Sequence, residues 1–200
     1  MSVADFVTVV SGLPRSGTSL AMRMLEAGGW PLQVDAARPA DPDNPRGYYE
    51  YAPVKAIRRD TSWVAAARGR AVKVVCPLVF ALPVGFAYRV VWMRRPLEEL
   101  LASQRAMLRR RGAPEAEQDE ARLAELFRAQ ERELRDWLGA RAGIRSLALD
   151  YPSLCADPRP AARALANLVD APLDVVAMAA CVEPALYRQC GGESVPLALP

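Results

Sequence analysis

The stretch Phe6-Val-Thr-Val-Val10, continued by Ser11-Gly12-Leu-Pro14-Arg15-Ser16-Gly17-Thr18-Ser19, decides how this sequence folds. Residues 6–10 are a β-branched run, which predicts a short strand buried on both faces. Residues 11–17 carry two glycines and a proline, so the chain turns there. From Thr18 to Ala27, Leu20, Met24 and Leu25 fall on one helical face, and Gly28-Gly29 stops the run. Gly12 to Ser19 has the spacing of a Walker A loop, G-x-x-x-x-G-K-S/T, with Thr18 in the place of the lysine. In such a loop the glycines let the backbone curl around an anion, and the first amides of the helix point at it. Arg15 lies inside the loop and replaces the missing charge, with a guanidinium that forks onto two oxygens. A capped glycine turn without a ligand is the plainer alternative, and it would leave Arg15 buried at a cost.

On either side of this unit the pattern alternates. Residues 31–47, rich in proline and aspartate, predict a long irregular loop. Tyr49–Ala67 reads as a helix with Pro53 near its first turn. Ala71–Val75, Arg89–Met93 and Ile144–Leu149 are three more apolar runs and predict buried strands. A helix starts near Pro96. Glu115–Leu138 reads as a charged amphipathic helix whose stripe is Leu123, Leu126, Phe127, Leu134, Trp137 and Leu138. Ala161–Val169 and Leu173–Cys181 complete the helices. The expected fold is α/β: a P-loop-type three-layer sandwich, with a mostly parallel sheet of four or five strands flanked by helices, in one domain over residues 1–200. Ligands of such sheets bind at the carboxyl ends of the strands.

Composition removes several chemistries. Histidine is absent, so Ser-His-Asp, Cys-His and HExxH arrangements are impossible, and a general base must be Asp, Glu, Lys, Tyr or Cys. The four cysteines, Cys76, Cys155, Cys181 and Cys190, lack CxxC spacing and read as reduced structural thiols, with no metal site expected. A net charge of +3 is too small to argue for nucleic acid. No signal peptide is visible at the start, and the apolar stretch Pro77–Tyr88, broken by Pro83 and Gly85, is too short for a membrane span. The expectation is a cytoplasmic protein.

A second anion site is suggested by Val90-Val91-Trp92-Met93-Arg94-Arg95-Pro96, a strand leading into a helix that carries Ser103. An arginine at a strand end and a hydroxyl two turns into the next helix can hold one phosphate between them.

Together these segments resemble the PAPS-dependent sulfotransferases of bacterial type. Pro14-Arg-Ser-Gly-Thr-Ser19 is similar to that family's 5′-phosphosulfate loop. The resemblance implies that Arg15 contacts the sulfuryl donor and steadies the leaving phosphate, while Pro14, Ser16, Gly17, Thr18 and Ser19 surround the 5′-phosphate. RRPLEELLASQRAML is similar to the family's 3′-phosphate segment. The Arg95…Ser103 spacing selects Arg95, the R-x-P pattern selects Arg94, and both are kept. Asn44-Pro-Arg-Gly47-Tyr48-Tyr49-Glu50 resembles an NPxGYxE segment, and Tyr151…Leu154…Asp157-Pro158 a YExLxxDP segment. Arg188 falls where the family places a C-terminal basic segment.

The resemblance implies sulfuryl transfer from PAPS to a hydroxyl or amine, with release of PAP and no metal. Lys73 matches a lysine near the sulfuryl group. Val75 takes the place of the family's basic histidine and cannot accept a proton, so Glu50 is the expected base, ahead of Asp35 and Asp60. The acceptor is a small molecule, carbohydrate or lipid; residues 31–47, 78–88 and 115–138 are candidates to line its site. Oligomeric state is open, a homodimer included. The competing functions are a P-loop nucleotide kinase or phosphotransferase, against which Thr18 argues, and a PAP- or PAPS-binding protein without catalysis.

Overall fold

The computed structural model describes residues 4–35, 38–110, 112 and 120–188. Strands β1 (Phe6–Gly12), β2 (Ala71–Lys73), β3 (Ala87–Arg94) and β4 (Ile144–Asp150) form one sheet in the order β2-β1-β3-β4. Every neighbouring pair is parallel; Val9 lies opposite Val72 on one side and Val90 on the other. Parallel strands need crossovers, and these supply helices α1 (Thr18–Ala27), α2 (Trp63–Ala66), α3 (Leu97–Arg110) and α4 (Glu120–Ala140), while α5 (Tyr151–Ala156), α6 (Pro158–Val169) and α7 (Val175–Ala180) follow β4.

Side chains alternate along a strand, so the continuous apolar runs feed two cores. Val7, Val9, Val90 and Trp92 pack under Leu100, Phe127 and Leu134 of α3 and α4, together with Trp63. Val10, Val91 and Met93 pack under Met22 and Leu25 of α1, Leu165 of α6 and Met178 of α7. The result is the expected three-layer α/β sandwich, with four strands.

The helix expected over Tyr49–Ala67 is instead a 3-10 turn at Ala52–Ala56 followed by the single turn of α2. Its apolar positions are buried, Val54, Ile57 and Trp63 among them. Two local features divide it. Tyr49 takes a left-handed φ of 53°, and the Asp60 carboxylate accepts the Ser62 amide at 2.9 Å, a turn that competes with helical hydrogen bonding. Helix α5 was not expected. Asp150 caps it by accepting the Ser153 amide at 3.0 Å. Leu126, assigned to the apolar stripe of α4, is exposed at 50%. Residues 115–119 of that expected helix, and Cys190, lie outside the described residues.

Chain order and strand order together locate the site. The chain leaves β1 toward β2 on one side, and leaves β3 toward β4 on the other. A crevice opens where such connections diverge, outside the carboxyl ends of β1 and β3.

Candidate functional site

At that crevice lies a cleft of about 440 Å³, within the range of small-ligand sites. Its floor is the loop between β1 and α1. Gly12 has a φ of 150°, Arg15 of 71° and Gly17 of 100°. A Cβ on Gly12 would lie 2.6 Å from the carbonyl oxygen of Met93, so the two strand ends approach through the missing side chain. Arg15 holds its left-handed conformation although it is not glycine, a local strain typical of binding loops. Gly17 precedes α1 without any side-chain cap. The amides of Leu20 and Ala21 take the Gly17 carbonyl, which leaves those of Thr18 and Ser19 without an intrahelical acceptor at the cleft.

The arginines meet above this floor. Arg15 donates from Nε to Ser103 Oγ at 3.0 Å and from Nη2 to the carbonyl of Asp43 at 3.1 Å. Arg95 donates from Nη1 to the Arg15 carbonyl at 3.2 Å and from Nε to the Glu99 carboxylate at 2.9 Å. Its guanidinium lies 4.8 Å from the Tyr151 ring centre and 5.3 Å from that of Tyr187. Glu99 is 3% exposed and also accepts the Tyr187 hydroxyl at 2.6 Å. Burial holds the Arg15 guanidinium below its ordinary pKa; Asp43 opposes this, while Arg110 and Arg95 add to it. It stays charged, as any arginine does, and is poised to gain from an anion.

The β2 end supplies Lys73, 8% exposed. It donates to Ser19 Oγ at 3.4 Å and to the carbonyl of Tyr48. Burial pushes its ammonium down to about 8, against the pull of Glu50. Asn44 Nδ2 donates to Ser19 Oγ at 2.9 Å, tying the long loop to the helix start. Glu50 rims the same side and is paired with Arg38 at 2.8 Å and Lys55 at 3.3 Å. Partial burial acts to raise its pKa, but the Arg38 hydrogen bond and the Lys73 charge outweigh it and hold the carboxyl below its ordinary value.

Most residues nominated from sequence line this one cleft: Pro14, Arg15, Gly17, Thr18, Ser19, Glu50, Lys73, Arg95, Ser103 and Arg188. Two do not. Arg94 points to the opposite side of its strand, 3.9 Å from Glu131 and over the Trp92 ring. Of the two arginines left open by the spacing, only Arg95 faces the cleft. Ser16 is 1% exposed, with its hydroxyl turned against Gly12, and its side chain does not line the cleft. Asp35 accepts the Ala52 amide at 2.6 Å and Asp60 closes its exposed turn, so both carboxylates serve local structure. Val75 and Leu78 line the cleft beside Lys73, as does Tyr51.

Sequence reasoning missed Arg38, Asp43 and Arg110, which also line the cleft. Arg110 ends α3, and Arg109-Arg110 was the only local signal for it. Among the described residues no group of His, Cys, Asp and Glu side chains could hold a metal ion, and no helix is long and apolar enough to cross a membrane.

An arginine-rimmed cleft at the divergence point of a parallel sheet, floored by a glycine loop, defines the class: an α/β protein with a cationic cleft at its strand ends. The particular fold is that of the sulfotransferase domains. The chain is similar to the sulfotransferase domain from the Synechococcus PCC 7002 olefin synthase, with a TM-score of 0.57 over 98% of this chain and 91% of that one, at 15% identity. A sulfotransferase domain from the curacin biosynthetic pathway aligns with a TM-score of 0.49 at 15% identity, over 96% of this chain and 80% of that one. No protein-family model matches the sequence, and no curated protein matches it.

Proposed function

We propose that this protein transfers a sulfuryl group from PAPS to a hydroxyl or amine of a small acceptor, releasing PAP. One observation carries the reading: the loop arginine and the strand-end arginine share a cleft and touch, Arg15 to Ser103 at 3.0 Å and Arg95 to the Arg15 carbonyl at 3.2 Å. A nucleotide with phosphates at both ends of its ribose needs two adjacent cationic grips. The chain's groups fit it: uncapped amides and Thr18 and Ser19 at one grip, Arg95 and Ser103 at the other.

PAPS supplies the sulfuryl group and its own leaving phosphate. Transfer of this kind is mostly positioning and electrostatics. Arg15 and Lys73 flank the helix start and bring positive charge to the transferred oxygens. Glu50 takes the acceptor proton in this reading. Tyr51, Val75 and Leu78 give the acceptor side of the cleft an apolar wall.

Calorimetry with PAP and with ATP–Mg tests the donor, and labelled sulfate transfer to an acceptor library tests the reaction. PAP binding with no ATP–Mg response supports the proposal; the reverse supports a phosphotransferase. A second reading, a PAP-binding protein without turnover, draws on the two ion pairs that occupy Glu50 and on Val75. Glu50→Gln separates them. It is expected to lower turnover about 100-fold while PAP affinity stays within about twofold. Turnover near that of the parent would move the base to another residue.

The lowered Lys73 pKa gives a pH signature. Below about 8 the side chain is charged and attracts an anion; above it the charge is lost. PAP affinity is therefore expected to fall by at most about tenfold between pH 7 and pH 9. In Lys73→Met that slope should vanish, which titrations at several pH values would reveal. A slope that survives the substitution belongs to another group.

A further inference from the structure

Asp43 sits in a polar, irregular loop, yet its side chain is only 6% exposed. Its carboxylate accepts Arg110 Nε at 2.7 Å and also Arg110 Nη2. Arg15 reaches the carbonyl of the same residue at 3.1 Å, and Arg188 the carbonyl of Pro42 at 3.2 Å. Three arginines from distant parts of the chain thus converge on residues 42 and 43. Asp41 braces the same loop, accepting the amides of Asp43 and Asn44 at 2.9 and 3.0 Å and the Tyr48 hydroxyl at 2.7 Å.

Like charges in a half-buried cleft repel one another unless an anion joins them. Here the anion comes from the chain. Arg15 is shared between Ser103 and the main-chain carbonyl of Asp43 and feels the Asp43 charge, so the Asp43–Arg110 pair stands beside the guanidinium that lines the ligand cleft.

We propose that Arg110, Arg15 and Ser103 form an anion subsite in which the Asp43 carboxylate stands in for a ligand phosphate, and that the ligand enters by displacing it. Arg110 is then a ligand-binding residue, and residues 42–43 are an internal competitor. An intramolecular competitor multiplies the intrinsic affinity by the fraction of molecules in which it has let go, so it weakens apparent binding. That the incoming group belongs to a nucleotide rests on the sulfotransferase reading; the subsite itself rests on the arginine cluster.

Calorimetry on the full chain, with PAP and with inorganic pyrophosphate as separate probes, tests this. Asp43→Asn is expected to bind both probes about tenfold tighter than the parent, because the competitor loses its charge. Arg110→Ala is expected to bind both about tenfold more weakly. In the Arg110→Ala background, Asp43→Asn should no longer tighten binding. Unchanged or weaker binding by Asp43→Asn overturns the proposal, since Asp43 would then be positioning Arg110 for the ligand.

Hydrogen exchange on the unaltered chain gives a second measurement that needs no variant. Pyrophosphate should speed exchange at the amides of Asp43 and Asn44; slowed or unchanged exchange counts against displacement. If the parent ignores PAP but pyrophosphate binds with the Asp43→Asn gain, the nucleotide reading fails and the subsite stands. If PAP binds and Asp43→Asn gains nothing, the subsite fails and the nucleotide reading stands. Binding of neither probe by any variant overturns both.

Discussion

Arg15→Ala is expected to lower the sulfuryl-transfer rate by about 100- to 1,000-fold, equivalent to removing one preorganised donor worth about 3–4 kcal/mol of transition-state stabilisation. The substitution is unusually clean. Alanine at a φ of 71° carries the same backbone strain as arginine, so the loop's conformational cost is unchanged. What is lost is the guanidinium that links Ser103 to the cleft floor. Arg15→Gly extends the test: it removes the same charge and hydrogen bonds but relieves the strain, and should be up to about 1 kcal/mol more stable than Arg15→Ala while losing as much activity. Transfer assays and denaturant unfolding read the two effects separately. A rate within threefold of the parent in Arg15→Ala would remove Arg15 from the reaction.

Gly17→Ala is expected to cost about 3 kcal/mol or more of folding stability. Two penalties add. The φ of 100° strains any L side chain. The added Cβ would also lie 2.3 Å from Cδ2 and 2.7 Å from Cε2 of Tyr151. That ring is 9% exposed and stacks with Arg95, so it cannot retreat without uncovering the guanidinium. Gly29→Ala provides the comparison. Its φ is 86°, but a Cβ there would meet nothing within 4 Å, so it should lose only about 1–2 kcal/mol. Urea unfolding of the two variants checks the difference. Equal losses would mean that Tyr151 yields freely.

The strands were legible because a parallel strand covered on both faces is an unbroken apolar run, and β1, β3 and β4 each begin or end within about two residues of where that run does. The Tyr49–Ala67 segment misled because its apolar spacing is helical while its backbone is divided by Tyr49 and the Asp60 turn. Burial was readable there and conformation was not. At the site, Arg15 stood out because its signal is local, a charge inside a glycine loop. Asp43 and Arg110 had no such signal. They meet across 67 positions of sequence, and neither residue type nor spacing announces a contact that only the crossover from β3 creates. The same holds for the choice between Arg94 and Arg95. Neighbours on a strand face opposite ways, and the sequence does not say which way is the cleft.

Glu183 accepts Arg23 of α1 at 3.0 Å and Arg46 of the long loop at 2.8 Å, and Tyr187 roofs Arg95 while bonding the sunken Glu99. The final turn of the described chain therefore works like the clasp on a strap, fastening wall, floor and rim at once. A polypeptide halted before Glu183 would still have every strand of its sheet, but Glu99 would keep a lone partner and Arg95 would lose half its cover. Covering Arg95 thus falls to the last described residues, none of which the sheet itself requires.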